Sequence, residues 1–437
     1  MNHQQLKERA LCIAKPPQHF QLIFEEINAQ SREESLFIWG EKQESIKVQL
    51  DYDGTITSYV ISKESYEVPV DKEISQEERR KLADQFFLQY YPKASADLTF
   101  YKSKLMDEIE EFCYGQLVMD LPLANAGIFI TLDKAGNLVG LMNMGKLQIP
   151  EIPKKLVDKN ALYDNAKKHL RMRLAIAEIA GQLRLIYELD DVYPIYQADI
   201  LEPLIYEHRC NRHYDVLPPL RANSSKSLEE ILGIGSEMQV VDEITYNNVK
   251  RLVWAEKKAE ELYEDSVHAR IDMNTGQLIG MSWFKERQGN LQLNDKEALQ
   301  KAIAFLQLVA PEMYPYLQVE VAENEQSPGF MFRLIHEQNI KTSYRKVVTI
   351  NRSTGDVESY HGGRIDMEKL HQIPSVPAIS AQQAKEIFLA HLDFRLGWGM
   401  GNEIGSSILM YDCYDKKTDK RLGYIDALDG TVITFQD

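Results

Sequence analysis

Three groups of residues in this chain have types and spacings that chemistry can use. His208, Cys210 and His213 fall within six residues of one another. Imidazole and thiolate suit zinc, but tetrahedral zinc needs a further ligand and this spacing matches no zinc module, so the segment reads as an exposed polar loop. Asp51, Asp133, Asp272 and Asp426 offer carboxylates for acid–base work, which requires a pair converging in one cleft. Each stands instead at one position of a repeated pattern, and another copy of that pattern carries Asn351. An amide accepts the hydrogen bonds of a turn but cannot act as a general acid or base, so turn stabilisation is the expectation. Gly397, Gly399, Gly401 and Gly405 invite a phosphate loop. The run follows a helical stretch rather than a strand, and no Gly-Lys-Ser/Thr accompanies it, so a flexible loop is expected. GxSxG and HExxH are also missing from the sequence. No catalytic, cofactor-binding or metal-binding residue is assigned, and no cofactor is expected.

The pattern that holds the aspartates is a hairpin. In Ser266–Met281 (SVHARIDMNTGQLIGM) Val267, Ala269 and Ile271 alternate with polar neighbours, the period of a half-buried strand. Asp272 opens a polar turn closed by Gly276, which fits a position of positive φ, and a second strand starts near Leu278. The same roles fall to Asp51 and Gly54, Asp133 and Gly136, Asn351 and Gly355, and Asp426 and Gly430. A degenerate copy keeps Asp199 but has Pro203 in place of the glycine.

A larger period lies above this one. Leu36–Asp51 aligns with Leu252–Asp272, which matches Trp39 to Trp254; Asp133 then matches Asn351, and Asp199 matches Asp426. The chain therefore divides into two tandem halves, 1–215 and 216–437, each of ordinary domain size. His208–Ser225, with Pro218-Pro219 and a Ser/Asn tail, is the linker. The paired tryptophans sit on strands and are expected in the core.

Helix signals precede the strands. Leu6, Ala10 and Ile13 mark a short amphipathic helix stopped by Pro16-Pro17. Ser75 and Glu78, Ser227 and Glu230, Asn294 and Glu297, and Ser380 and Gln383 form capping-box pairs. Leu82, Phe86 and Tyr90 make the expected buried stripe of the helix after Ser75. A longer helix is expected from Ala161 to about Leu183, on the spacing of Leu162, Ala166, Leu170 and Leu174, after a Pro- and Lys-rich connector at Lys146–Lys159. The recurring unit is a helix followed by three or four antiparallel strands, which gives an α+β class.

Composition narrows the function. A net charge of −16 argues against nucleic acid as a partner, since phosphate neutralisation needs a basic face. No segment has the roughly 20 apolar residues of a membrane helix. The N-terminus lacks a long apolar run, so a cytoplasmic location is expected. Cys12, Cys113, Cys210 and Cys413 form no CxxC and read as free thiols. The acidic runs Asp107–Glu111 and Glu256–Glu264 read as solvated faces.

The order SLEEILGI, a strand reaching Leu252–Trp254, then ARIDMNTGQLIG resembles the YcdB/YcdC repeated domain of Gram-positive bacteria, and the unit itself is similar to the PepSY-type module. The resemblance covers both halves, the second more clearly. It implies tandem PepSY-like α+β repeats, each a helix packed on a small antiparallel sheet, and a role in binding or restraining a protein or peptide. It brings no catalytic residues. The expectation is thus a non-enzymatic binding or regulatory protein, with oligomeric state left open. The alternative is a hydrolase or metal-dependent enzyme whose site lies between the halves.

Overall fold

The structure is a computed structural model and describes residues 1–28, 34–41, 44–63, 65–190, 194–203, 212–220, 226–246, 248–256, 265–322, 329–401 and 406–435. Its helices are α1 (His3–Ala14), α2 (Gln76–Tyr90), α3 (Lys159–His169), α4 (Leu228–Leu232), α5 (Asp295–Val309), α6 (Met367–His371) and α7 (Ala381–His391). Reciprocal capping boxes form at Ser75, Ser227, Asn294 and Ser380 as the sequence predicts, and a further one forms at Asn2. Each satisfies helix N–H groups that would otherwise lack partners.

Two helices depart from expectation. In α2 the deepest side chains are Ala83 and Phe87, while Leu82, Phe86 and Tyr90 are only partly buried. Two contacts set this rotation: Phe87 stacks on Tyr114 with centroids 4.3 Å apart, and the Tyr91 hydroxyl donates to the Ile56 carbonyl at 2.6 Å. The expected helix to Leu183 ends at His169; Met172–Ile179 and Gln182–Leu189 form a hairpin instead. Ala180 and Gly181 close it with φ of 50° and 76°, the doubly positive geometry that follows strand twist. Ala175, Ile176 and Ala177 are all buried, so the strand is covered on both faces. Such a strand has no alternation to set it apart from a helix.

The duplication is visible in the sheets. In the first half, Gln21–Asn28, Glu34–Glu41, Glu44–Asp51 and Ile56–Ser62 form one antiparallel meander. Leu138–Gly145, Gly127–Asp133, Ile109–Gly115 and Thr99–Met106 form another, and Ile56–Ser62 pairs with Leu138–Gly145 to make one eight-stranded sheet. In the second half, Met238–Tyr246, Val249–Glu256, Ser266–Asp272 and Leu278–Trp283 are followed in space by Val357–Gly362, Ile340–Ile350, Gly329–His336 and Leu317–Ala322. The order is the same, and so is the register of the joining pair: Tyr59 faces Leu141 where Met281 faces Tyr360. Met172–Ile179 then runs parallel to the start of Ile340–Ile350, and Gln182–Leu189 pairs with Arg421–Asp426.

By contacts the chain divides into two units. One comprises 1–158, 195–202 and 395–412, and the other comprises 159–194, 203–394 and 413–437. In the first, α1 and α2 cover the eight-stranded sheet around Phe37, Trp39, Val48, Leu50, Phe112 and Ile130. In the second, Phe305 of α5 meets Tyr360 edge-on over the equivalent sheet.

The repeated turns form as expected. Gly54, Gly136, Gly276, Gly355 and Gly430 have φ between 69° and 85°. Each N–H returns to the carbonyl of its marker residue, at 2.9, 2.9, 2.7, 2.7 and 3.0 Å. The marker side chain accepts from later backbone N–H groups, as from Thr55 to Asp51 at 2.8 Å and from Ser353 to Asn351 at 3.0 Å. Asp199 makes no such turn, because Pro203 has neither an N–H nor access to positive φ. An unexpected copy stands at Asp415, where Asp419 with φ 62° takes the glycine's place. Asp51→Asn should therefore leave stability unchanged within about 0.5 kcal/mol, whereas Asp51→Ala should lose about 1 kcal/mol. Urea unfolding of both variants checks this; equal losses would show that the side-chain hydrogen bond is not what matters.

Candidate functional site

Within the first unit lies a cleft of about 870 Å³, a size suited to binding. Its walls are the irregular segment Glu151–Asp158, which bends at Lys154 and Lys155, the pair Gln197 and Asp199, and Ser407–Leu409. Three hydrogen bonds fix the frame: Val157 N–H to the Ala198 carbonyl at 2.8 Å, Ala198 N–H to Leu409 at 2.8 Å, and the Tyr411 hydroxyl to Val157 at 3.1 Å. Burial, with the nearby Asp158 charge second, raises the Tyr411 hydroxyl above its ordinary pKa and keeps it a neutral donor. Short strand pairing of Tyr196 with Tyr411 and Gln197 with Met410 holds the two inner walls together.

The outer wall is the region expected to be a connector. From Glu151 to Leu156 its main chain bonds to no other described residue. Ile152 on this wall stands 45% exposed, and Ile149 just before the wall 68% exposed. Glu151, Lys154 and Lys155 form no ion pair with another described residue. The wall thus offers amide and carbonyl groups unbonded among the described residues, apolar side chains and both signs of charge along one irregular segment.

The residues singled out from sequence are not gathered here, Asp199 excepted. His208 and Cys210 lie outside the described residues; His213 is in the strand Arg212–Val216, opposite Val321. Among the described residues no group of three or more His, Cys, Asp or Glu side chains is placed to hold a metal. The turn carboxylates go to separate partners: Asp272 to Arg364 at 3.0 Å, and Asp426 to Arg184 at 3.5 Å. Trp39 and Trp254 are buried in the core as expected.

Two expectations are corrected. Gly397 and Gly399 lie in the strand Leu392–Met400, with Gly401 just after it and Gly405 outside the described residues. Trp398 anchors that strand: it is buried, and its indole N–H donates to the Val118 carbonyl at 3.0 Å. Glu110 is not part of a solvated face. It is 1% exposed and accepts from Arg79 at 2.9 Å and Gln76 at 2.7 Å. Glu256 pairs with Lys285, while 257–264 lie outside the described residues. Cys12, Cys113 and Cys413 are free thiols, and burial pushes Cys113 up to about 11; Cys210 lies outside the described residues.

Sequence reasoning passed over a buried pair. Lys346 is 5% exposed and Tyr360 fully buried. The ammonium donates to the Gly363 carbonyl at 3.3 Å, and the Tyr360 hydroxyl has no hydrogen-bond partner. Burial alone lowers Lys346 to about 8 and raises Tyr360. The first half has Ile128 where Lys346 stands and Leu141 where Tyr360 stands, by sheet register. The fold does not require the polar pair. Only comparison of the halves in register could have flagged it. His391 and Asp415 also meet, Nδ1 to Oδ1 at 2.8 Å, with Lys417 at 3.4 Å on the other ring nitrogen. Asp415 is a turn-former and His391 ends α7, so this pair fastens a helix terminus to a hairpin.

This fold defines a class: an α+β repeat protein made of two halves, each with two four-stranded meanders fused edge to edge under capped helices. The chain belongs to the YcdB, YcdC repeated-domain family, whose model matches residues 3–140 and 222–364. Those spans coincide closely with the eight-stranded sheet of the first half and with the eight strands of the same order within the sixteen-stranded sheet of the second, each with its helices. It is 24% identical over 424 residues to YcdC of Bacillus subtilis (strain 168), covering 91% of this chain and 92% of that protein. It is 25% identical over 430 residues to YcdB of the same organism, covering 90% of each. Among solved structures, the C-terminal domain of Bacillus megaterium YpeB aligns over 48% of this chain and 94% of that domain, at 18% identity and a TM-score of 0.27. No helix among the described residues is long and apolar enough to cross a membrane.

Proposed function

We propose that this protein binds an extended peptide segment of another protein without altering it chemically, and that the cleft beside Glu151–Asp158 is the site. One observation carries the reading: the wall from Glu151 to Leu156 belongs to no helix or strand, is apolar in part, and among the described residues its main chain makes no hydrogen bond. Main-chain pairing supplies affinity in such recognition, and pockets for alternate side chains supply specificity. Pro153 removes one N–H from the strip, which restricts the register a peptide can take. Ile152 lines the cleft and is the side chain an apolar anchor would meet.

An array of synthetic peptides probed with labelled protein tests this. Ile152→Asp should weaken the bound peptides by roughly tenfold or more, because a carboxylate would then be desolvated in the contact. Mass spectrometry should recover each bound peptide intact. An unchanged binding profile would remove the cleft from the account, and cleavage of bound peptide would replace binding with hydrolysis.

A further inference from the structure

The two halves share one strand order but are finished differently at one edge. In the second half the outer strand Leu317–Ala322 carries an added antiparallel strand, Arg212–Val216, in register from Arg212 with Ala322 to Val216 with Gln318. That strand precedes the helix and meanders of the second half and belongs to neither meander. In the first half the strand in the same place is Thr99–Met106. Its inner edge pairs with Ile109–Gly115, and among the described residues no strand pairs with its outer edge. The chain itself therefore displays what this position of the fold accepts: an extended segment laid antiparallel along the last strand.

We propose that the free edge of Thr99–Met106 binds an extended segment of a partner protein in which acidic and apolar residues alternate. The charge comes from Lys102 and Lys104. Two residues apart on a strand, they share a face, and neither forms an ion pair with another described residue. In a chain of net charge −16, two lysines on this edge, Lys104 of them opposite Glu111 across the inner pair, favour a partner of opposite sign. The apolar requirement comes from Leu105, which lies on the other face and is 63% exposed. A second copy of this chain fits poorly. Two such edges in antiparallel register would set Lys102 and Lys104 against each other, and like charges directly opposite are destabilising. Edge lysines also discourage unselective edge-to-edge pairing, which sharpens the demand for an acidic occupant.

Fluorescence anisotropy with short labelled peptides tests the proposal. The probes are an alternating Glu–Val peptide, its Lys–Val counterpart, and the Glu–Val peptide N-methylated at every second residue. Wild-type protein should bind Glu–Val at least roughly tenfold more tightly than Lys–Val, and N-methylation should abolish binding because it removes main-chain donors. The double variant Lys102→Glu/Lys104→Glu should prefer the Lys–Val peptide, which also shows that the variant is folded. Ile152→Asp should leave Glu–Val binding intact, which separates this edge from the cleft. The proposal is overturned by insensitivity to N-methylation, by an unreversed preference, by loss of binding in Ile152→Asp, or by the absence of binding. Self-association of the wild type that the double variant removes would give the edge to a second copy and overturn it too.

Discussion

Lys346→Met is expected to make the protein more stable at neutral pH, by about 3 kcal/mol. The lysine titrates near 8 in the folded protein rather than near its ordinary 10.5, and burial is the cause. A lysine whose folded pKa is lowered holds its proton less well when folded than when unfolded. Below pH 8 both states are charged, and the folded state bears the full penalty of the desolvated ammonium. Between pH 8 and 10.5 the unfolded chain binds more protons than the folded one, so wild-type stability at this site rises with pH. Above 10.5 both states are neutral and the penalty has gone. The stabilisation by methionine should thus be full at pH 7, shrink through this window, and leave only a packing difference at its top. Urea unfolding of wild type and variant at pH 7, 8, 9 and 10 (chosen to bracket the window) measures the difference, from which the titration of shared tyrosines cancels. A variant less stable than wild type at pH 7 would mean that the hydrogen bond to the Gly363 carbonyl and the Tyr360 ring 5.7 Å away satisfy the ammonium more fully than its burial suggests. Ile128 at the equivalent position of the first half shows that an apolar side chain suits this place in the sheet.

Arg79→Met should have the opposite effect, a loss of about 3–5 kcal/mol. Glu110 is 1% exposed, with the Arg79 guanidinium 2.9 Å away. Removing the arginine leaves a buried carboxylate whose side-chain partner is Gln76, at 2.7 Å. Arg79 also donates to the Ile74 carbonyl at 2.6 Å, so the start of α2 loosens with it. The double variant Arg79→Met/Glu110→Leu should recover most of the loss, because replacing both charges removes the desolvation penalty as well as the attraction. Chemical unfolding of the two single variants and the double variant closes the cycle. Additive losses would show that the pair is not coupled and that the cost lies in α2 alone.

These effects differ in how far the sequence announces them. The turns at Asp51, Asp133, Asp272, Asn351 and Asp426 are legible because their physics is local. A residue of positive φ favours glycine, and a short polar side chain bonds to backbone a few residues on. The copy at Asp415 escaped because Asp419 occupies the left-handed region there, which aspartate tolerates without advertising it. Capping boxes are local in the same way. The stretch after His169 has the spacing of a helix because a strand buried on both faces loses its period of two.

The sequence by itself determined the recurring hairpins, the capped helices, the α+β class and the duplication, since each rests on contacts within a few residues or on one half matching the other. Only the tertiary structure decided which edges pair. It joined Ile56–Ser62 to Leu138–Gly145, laid Arg212–Val216 on Leu317–Ala322, and gave the outer edge of Thr99–Met106 no strand partner among the described residues. It placed Lys346 and Glu110 in the interior, though their types read as surface. It brought Ile152, Asp199 and Leu409 around one cleft. Backbone hydrogen bonding between strands is nearly indifferent to residue type, so the choice of neighbour falls to long-range packing, and no short window of sequence contains it.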